Sequence, residues 1–75
     1  MEKYITMSNI NLKLGKKLKQ LRKKAGITQE ELAQLSGVDY KYIQRLEGKS
    51  PSSPSLNIIE KLAKAFKISP SKLLD

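Results

Sequence analysis

Residues 29–48 read QEELAQLSGVDYKYIQRLEG, and this stretch decides the fold. It divides into two short segments joined at Gly37, a residue that can adopt the positive φ needed to reverse a chain sharply. Apolar residues beyond the turn supply a face that can be buried: Val38, Ile43 and Leu46. We therefore predict two short helices packed against each other through a tight turn.

The second of these helices is expected over residues 39–47, and stepping 100° per residue around it separates two faces. The inward positions are Asp39, Ile43 and Leu46. The outward positions are Lys41, flanked by Gln44 and Arg45, with Tyr40 and Tyr42 on the shoulders. On an isolated helix such a polar face is more often simply solvated. After a tight helix–turn–helix unit, donors of these kinds indicate contact with phosphates and base edges in the major groove of DNA.

Apolar residues at helical spacing predict a first helix from about residue 11. They are Leu14, Leu18, Leu21 and Ala25, and Gly26 can end the helix in the left-handed conformation. Residues 1–9 show neither this period nor a cap. We therefore expect residues 1–9 to form a flexible arm ahead of one domain over residues 10–75.

Capping signals place the other helix boundaries. Thr28 and Glu31 have the spacing of a capping box at the start of the second helix, which should run to about residue 36. Asp39 is a candidate N-cap for the third helix, where its carboxylate can accept from first-turn amides at the positive end of the helix dipole. Ser55 is placed to cap a fourth helix over about residues 56–67. Its expected apolar face is Leu56, Ile59, Leu62, Ala63 and Phe66. Pro70 favours a last short helix. No segment alternates like a strand, so the predicted class is all-α with five short helices.

Composition narrows the class of function. The 75 residues carry 15 Lys and Arg against 7 Asp and Glu, a net charge of +8, which favours a polyanionic partner. Cys and His are both absent, so disulfides, thiolate or imidazole metal sites and the commonest general base are excluded. We expect a non-enzymatic protein without a cofactor or small-molecule ligand. The chain has no spanning apolar run and no apolar signal-peptide core, so we expect it to be cytoplasmic.

Three separated stretches resemble one known family. They are LRKKAGITQEELAQLSGV, IQRLEGK and PSLNIIEKLAKAFKISPSKLL, which together extend to Leu74. These motifs and the order of helices resemble the phage-repressor and Cro-like helix-turn-helix proteins of the XRE family. The resemblance implies a lambda-repressor-like DNA-binding domain with the helix-turn-helix in helices two and three. Ser36 and Asp39 depart from the family pattern, which more usually has a small apolar residue and Ser or Thr there.

The resemblance also implies roles for particular side chains. Positions that usually read bases are Tyr40, Lys41 and Arg45, with Gln44 beside them. Positions that commonly meet the DNA backbone are Gln29, Tyr42, Lys49, Ser50, Ser52 and Ser55. Gln29 commonly also braces the third helix, which is the recognition helix of the family. Arg22 and Glu47 correspond to a partly buried structural ion pair, and the helical wheel independently turns Glu47 towards the first helix. That helix carries six lysines and no acid, which adds diffuse attraction for DNA: Lys13, Lys16, Lys17, Lys19, Lys23 and Lys24.

The favoured interpretation is a sequence-specific transcriptional regulator, a repressor, that binds double-stranded DNA as a homodimer on a palindromic operator. A protein-interaction adaptor or antitoxin-type partner that retains the fold is the alternative. A basic membrane binder acting through the first helix ranks lower because it leaves the turn motif unexplained. Apolar residues near the C-terminus motivate the dimer: Ile68, Leu73 and Leu74. The competing interpretation is that Leu73 and Leu74 close the monomer core.

Overall fold

Five helices follow one another in the computed structural model, which describes residues 7–74. They are α1 Met7–Ala25, α2 Gln29–Ser36, α3 Tyr40–Leu46, α4 Leu56–Ala65 and α5 Pro70–Leu74. No strand occurs in this part of the chain, so the expected all-α class is confirmed. No helix within the same range combines the length and apolarity needed to cross a bilayer.

Helix α1 begins at Met7 rather than near residue 11, so residues 7–9, assigned to the flexible arm from sequence, are helical. The rest of that arm, residues 1–6, lies outside the described residues. The physical reason for the early start is that extending an existing helix by one turn is far easier than nucleating a new one. The lack of a recognisable cap therefore did not mark the helix end.

Local capping follows the sequence signals. The Thr28 hydroxyl accepts from the Glu31 amide at 3.0 Å, and the Glu31 carboxylate accepts from the Thr28 amide at 2.8 Å. The Ser55 hydroxyl accepts from the Ile58 amide at 3.2 Å at the start of α4. Each contact satisfies an amide that the first helical turn leaves without a backbone partner. These caps fix where α2 and α4 begin.

The turn between α2 and α3 depends on Gly37, whose φ of +76° lies in the left-handed region. Its amide donates to the Ala33 carbonyl at 2.9 Å. Ser36, one of the two departures from the family pattern, is also used here. Its hydroxyl donates to the Leu32 carbonyl at 2.7 Å and accepts from the Val38 amide at 3.1 Å. A polar residue is therefore accommodated because the turn satisfies its hydroxyl.

One apolar core joins all five helices. Its buried members are Leu14, Leu18, Leu32, Val38, Ile43, Leu46, Ile59, Leu62, Ala63 and Leu73. Two residues differ from expectation. Leu56 was placed on the buried face of the fourth helix but is 81% exposed, because it stands at the first position of α4, beyond the reach of the core. Leu73, a candidate for a dimer surface, is 1% exposed and closes the monomer core against α1.

Candidate nucleic-acid interface

Helix α3 has one fixed face and one open face. Ile43 is fully buried and Leu46 is 1% exposed, so the inner side of the helix is locked into the core. The four predicted base-reading residues lie on the exposed outer side: Tyr40, Lys41, Gln44 and Arg45. The side-chain amide nitrogen of Gln44 donates to the Tyr40 hydroxyl at 3.1 Å, and this bond orients the two side chains, which lie one helical turn apart. The helix thus presents a row of donors on a rigid support.

The outer face borders two shallow surface hollows. Tyr40 and Gln44 line an open groove together with Gln29 at the start of α2. Lys41 and Arg45 line a second hollow with Tyr42. Tyr42 is half-buried and its ring packs partly against the core, so its position is fixed from below. The structure therefore brings the four predicted base readers together on one surface, with two of the predicted backbone residues at its edges.

Asp39 is the N-cap of α3, as its residue type predicted, and does not point inward as the helical wheel placed it. It is exposed, and its carboxylate accepts from the Lys41 amide at 2.9 Å. The wheel does not apply because Asp39 is the N-cap of α3, with an extended ψ of 136°. A carboxylate at this place is favoured by the helix dipole.

Arg22 of α1 and Glu47 at the end of α3 form the expected partly buried pair. Nε and Nη2 of Arg22 each lie 2.9 Å from one oxygen of the Glu47 carboxylate, a bidentate arrangement. The Arg22 and Glu47 side chains are 13% and 3% exposed. The hydrogen bond to Glu47 raises the pKa of Arg22 above its ordinary value, while burial opposes that rise. The pair fixes the C-terminal end of α3 to α1.

Gln29 adds a third partner to this pair. Its amide nitrogen donates to the Glu47 carboxylate at 3.1 Å. That nitrogen carries two hydrogens, so the second can donate to a DNA phosphate while the first braces the recognition helix. Gln29 is half-buried at the first position of α2, where free backbone amides also favour an anion. Its geometry therefore fits both the bracing role and the expected backbone contact.

The loop after α3 carries the other expected backbone residues, and all of them are exposed: Lys49, Ser50, Ser52 and Ser55. Lys49 borders a cleft that is also lined by Lys16 and Lys19 of α1. Ser55 already uses its hydroxyl as the cap of α4, although the hydroxyl hydrogen can still donate. The loop thus adjoins the lysine-rich side of α1.

Two residues that position this interface were missed by sequence reasoning. A Cβ built on Gly15 would lie 2.1 Å from the carbonyl oxygen of Leu46, so only glycine permits this approach of α1 to α3. Asn11 is 8% exposed, and its side chain meets the Ser53 hydroxyl in the loop. An isolated glycine inside a helix is costly relative to alanine, and that cost was the available signal for Gly15. Asn11 gave no comparable signal.

Comparison of the sequence with known proteins supports the helix-turn-helix arrangement of α2 and α3. A family model described as helix-turn-helix matches residues 18–73. The chain belongs to the XRE-type helix-turn-helix family. The HTH-type transcriptional regulator SinR of Bacillus subtilis is 34% identical over 83% of this chain and 56% of its own length. The control protein C.BamHI of Bacillus amyloliquefaciens is 38% identical over 91% of this chain and 84% of its own length.

Solved structures give the same result. The restriction-modification controller protein C.AhdI of Aeromonas hydrophila has a TM-score of 0.77 and 41% identity, covering 84% of this chain and 94% of that chain. The hypothetical transcription factor NHTF from Neisseria has a TM-score of 0.82 and 28% identity over 100% of this chain and 85% of that one. The chain therefore spans about half the length of SinR but most of the length of the controllers.

Proposed function

We propose that this protein is a sequence-specific DNA-binding transcription regulator that docks α3 in the major groove. The observation that carries the proposal is the outer face of α3, where four donor-rich side chains stand on a helix whose inner face is buried. Arg45 and Lys41 suit the acceptors of guanine, and Gln44 suits adenine. The net charge of +8 supplies the attraction for the backbone.

Backbone contacts would frame this reading face. Gln29 lies on the α2 side of α3, and Lys49 lies in the loop that follows α3. Phosphate contacts at both sides would set the register of α3 along the groove, and base contacts would then set the sequence preference. Ser50, Ser52, Ser55 and Tyr42 complete the proposed set of backbone contacts.

We further propose that the protein acts as a homodimer on a palindromic operator. Leu56 is 81% exposed and Leu74 is 42% exposed, and both line one groove between α4 and α5. Two leucines on the surface of so small a domain favour burial against a second copy, since self-complementary two-fold contacts are the commonest route to a dimer. Leu73 has no part in this surface because it closes the monomer core.

The biological role we favour is repression of transcription in the cytoplasm. Control proteins match this chain over most of their own length, which supports taking them as the functional guide. An adaptor or antitoxin-type partner that retains the fold is less favoured, because such a role does not require the donor face of α3 to be kept. Catalysis has no support in the site, and the relatives are regulators.

Selection of bound duplexes from a random DNA library tests the proposal. We expect enrichment of a palindrome whose half-sites are centred about 34 to 36 Å apart, one turn of the duplex, because two-fold copies present α3 to successive major grooves. Enrichment of a single site without symmetry would remove the dimer. A library that returns no preferred sequence would contradict sequence-specific binding.

A further inference from the structure

Residues on one face of α1 contact both the end of α3 and the loop that follows it. Arg22 binds the Glu47 carboxylate, and Gly15 allows the backbone of α1 to approach the Leu46 carbonyl. Further towards the N-terminus, the Asn11 side-chain amide donates to the Ser53 hydroxyl at 3.0 Å. The three contacts run in order along α1. The contacts of α1 therefore reach beyond α3 and include the loop at residues 49–55.

Positively charged residues line a cleft along the seam, where α1 meets the end of α3 and the loop after it. Lys16 and Lys19 of α1 and Lys49 of the loop line it, next to Gly48. Glu47 also lines the cleft, but its carboxylate is 3% exposed and already binds Arg22 and Gln29. The charge of that acid is therefore balanced by Arg22. Lys16, Lys19 and Lys49 are all exposed, so their positive charges attract an anion towards the mouth of this cleft.

We propose that this cleft binds one phosphate of the DNA backbone, and that Asn11 is the positioning residue that keeps Lys49 in it. The inference rests on the proposed DNA-binding function and deepens it by assigning a phosphate site at the α1–loop seam. Lys16 and Lys19 are carried on a regular helix, so their backbones are fixed. Lys49 is carried on a loop, so its place depends on what ties that loop down.

The Asn11–Ser53 contact is suited to this task because it is long-range and is anchored on a buried residue of α1. It joins residues 42 positions apart, and Asn11 is only 8% exposed. Loss of this bond would leave the buried side-chain amide of Asn11 without a partner, which is costly. With the bond in place, the loop is already ordered before DNA binds. Without it, binding has to supply that ordering.

The first readout is the salt dependence of binding to a mixed-sequence duplex. Each phosphate contact contributes about 0.9 to the slope of log affinity against log salt. Because one phosphate is bound, we expect Lys49→Gln, Lys16→Gln and Asn11→Ala to lower the slope by no more than about 1, singly or combined, and each to lower the affinity by about three- to tenfold. Lys24→Gln is the matched control, since Lys24 is exposed on the same helix about 140° around the axis from Lys19. Its slope should change less.

The second readout is coupling. If Asn11 acts by placing Lys49, Asn11→Ala should have little further effect on binding in a Lys49→Gln background. Ser53→Ala breaks the same contact from the exposed side, so it tests the idea even if Asn11→Ala is poorly folded. Ser53→Thr keeps the hydroxyl and should restore the slope, whereas Ser71→Ala, a hydroxyl deletion on α5, should leave it unchanged. A purely structural role for Asn11 would lower the folded fraction without changing the slope of the folded protein.

A third readout does not depend on DNA. Amide hydrogen exchange of residues 49–55 in the free protein should accelerate in Asn11→Ala and Ser53→Ala, while the amides of α2 keep their protection. Unchanged loop exchange together with an unchanged salt slope would overturn the inference and leave DNA binding intact. A wild-type chain that binds no duplex at any salt concentration would instead overturn the proposed function, and the phosphate site with it.

Discussion

Two surfaces of the molecule differ in the contacts that form them: the seam, where α1 packs against α3 and the loop after it, and the groove between α4 and α5. The seam is held by polar contacts: Arg22 with Glu47, Gln29 with Glu47, and Asn11 with Ser53. The groove has exposed leucines at its rim, Leu56 and Leu74. Directional bonds fix side chains and backbones in place, whereas exposed apolar area favours association without fixing direction. In the proposed function, the seam faces a charged duplex and the groove is covered by a second copy of the chain, and the two kinds of contact suit these two roles.

The largest effect that tests this contrast is expected at the seam. Arg22→Ala leaves the buried Glu47 carboxylate without its cation, and we expect the free energy of unfolding to fall by about 3 to 5 kcal/mol. That is a large share of the stability of a small domain. Chemical denaturation of Arg22→Ala, Glu47→Ala and the double variant measures it. The double variant should lose less than the sum of the single losses, and strict additivity would show that the pair contributes no coupling.

At the groove, polar substitution should affect association rather than folding. Replacing Leu56 and Leu74 by Ser removes apolar area from the proposed dimer contact, and we expect a loss of about 2 to 3 kcal/mol in dimerisation with little change in monomer stability. Sedimentation over a range of concentrations measures the first and denaturation the second. Leu73→Ala is the contrasting variant, because its buried side chain should reduce monomer stability by at least about 2 kcal/mol. A wild-type protein that is monomeric both free and on a palindromic duplex would contradict the role of the groove.

Gly15→Ala tests how close the seam is. The new Cβ would meet the Leu46 carbonyl oxygen, so α1 and α3 must separate. Overpacking of this kind typically costs about 1 to 3 kcal/mol, partly offset by the better helix propensity of Ala. We therefore expect a net loss of about 1 to 2 kcal/mol in unfolding free energy and weaker DNA binding by the folded fraction. Gly26→Ala is the control, since its Cβ meets open space and only the left-handed backbone is strained.

The smallest effect is expected at the end of α4. Lys67 has a φ of +58°, a left-handed conformation that glycine adopts more readily. Lys67→Gly should therefore raise the unfolding free energy by about 0.5 kcal/mol, since relief of strain slightly exceeds the entropy cost of glycine. Thermal denaturation checks this. A clear loss of stability would show that the Lys67 side chain makes a contribution larger than the backbone strain.

Features that depend on near neighbours in the sequence were predictable. The capping box at Thr28, the cap at Ser55 and the turn at Gly37 each involve residues within a few positions of one another, so spacing is enough to identify them. The outward face of α3 followed from its helical period. The N-cap role of Asp39 was also predictable from its residue type, whereas the helical wheel placed its side chain wrongly because a cap residue does not share that period.

Features that depend on distant partners were harder to predict. Asn11 contacts Ser53, which lies 42 positions away, and the sequence around either residue does not indicate the other as its partner. Gln29 was expected at phosphate, but its contact with Glu47 depends on how α2 packs beside α3. Leu56 was expected in the core and is exposed, and Leu73, for which a dimer surface and the monomer core were both considered, lies in the core. Burial at a helix end is decided by the neighbouring helix, which a single-helix wheel does not contain.

The most direct test of the account is the binding of Lys41→Ala and Arg45→Ala to the selected duplex and to a mixed-sequence duplex at the same salt concentration. Both side chains are exposed and hold no part of the core, so folding should be preserved. We predict a loss of about 1 to 3 kcal/mol on the selected duplex, a smaller loss on the mixed duplex and relaxed preference at one base position for each variant. Equal losses on both duplexes would contradict base reading by α3 and assign these side chains to the backbone.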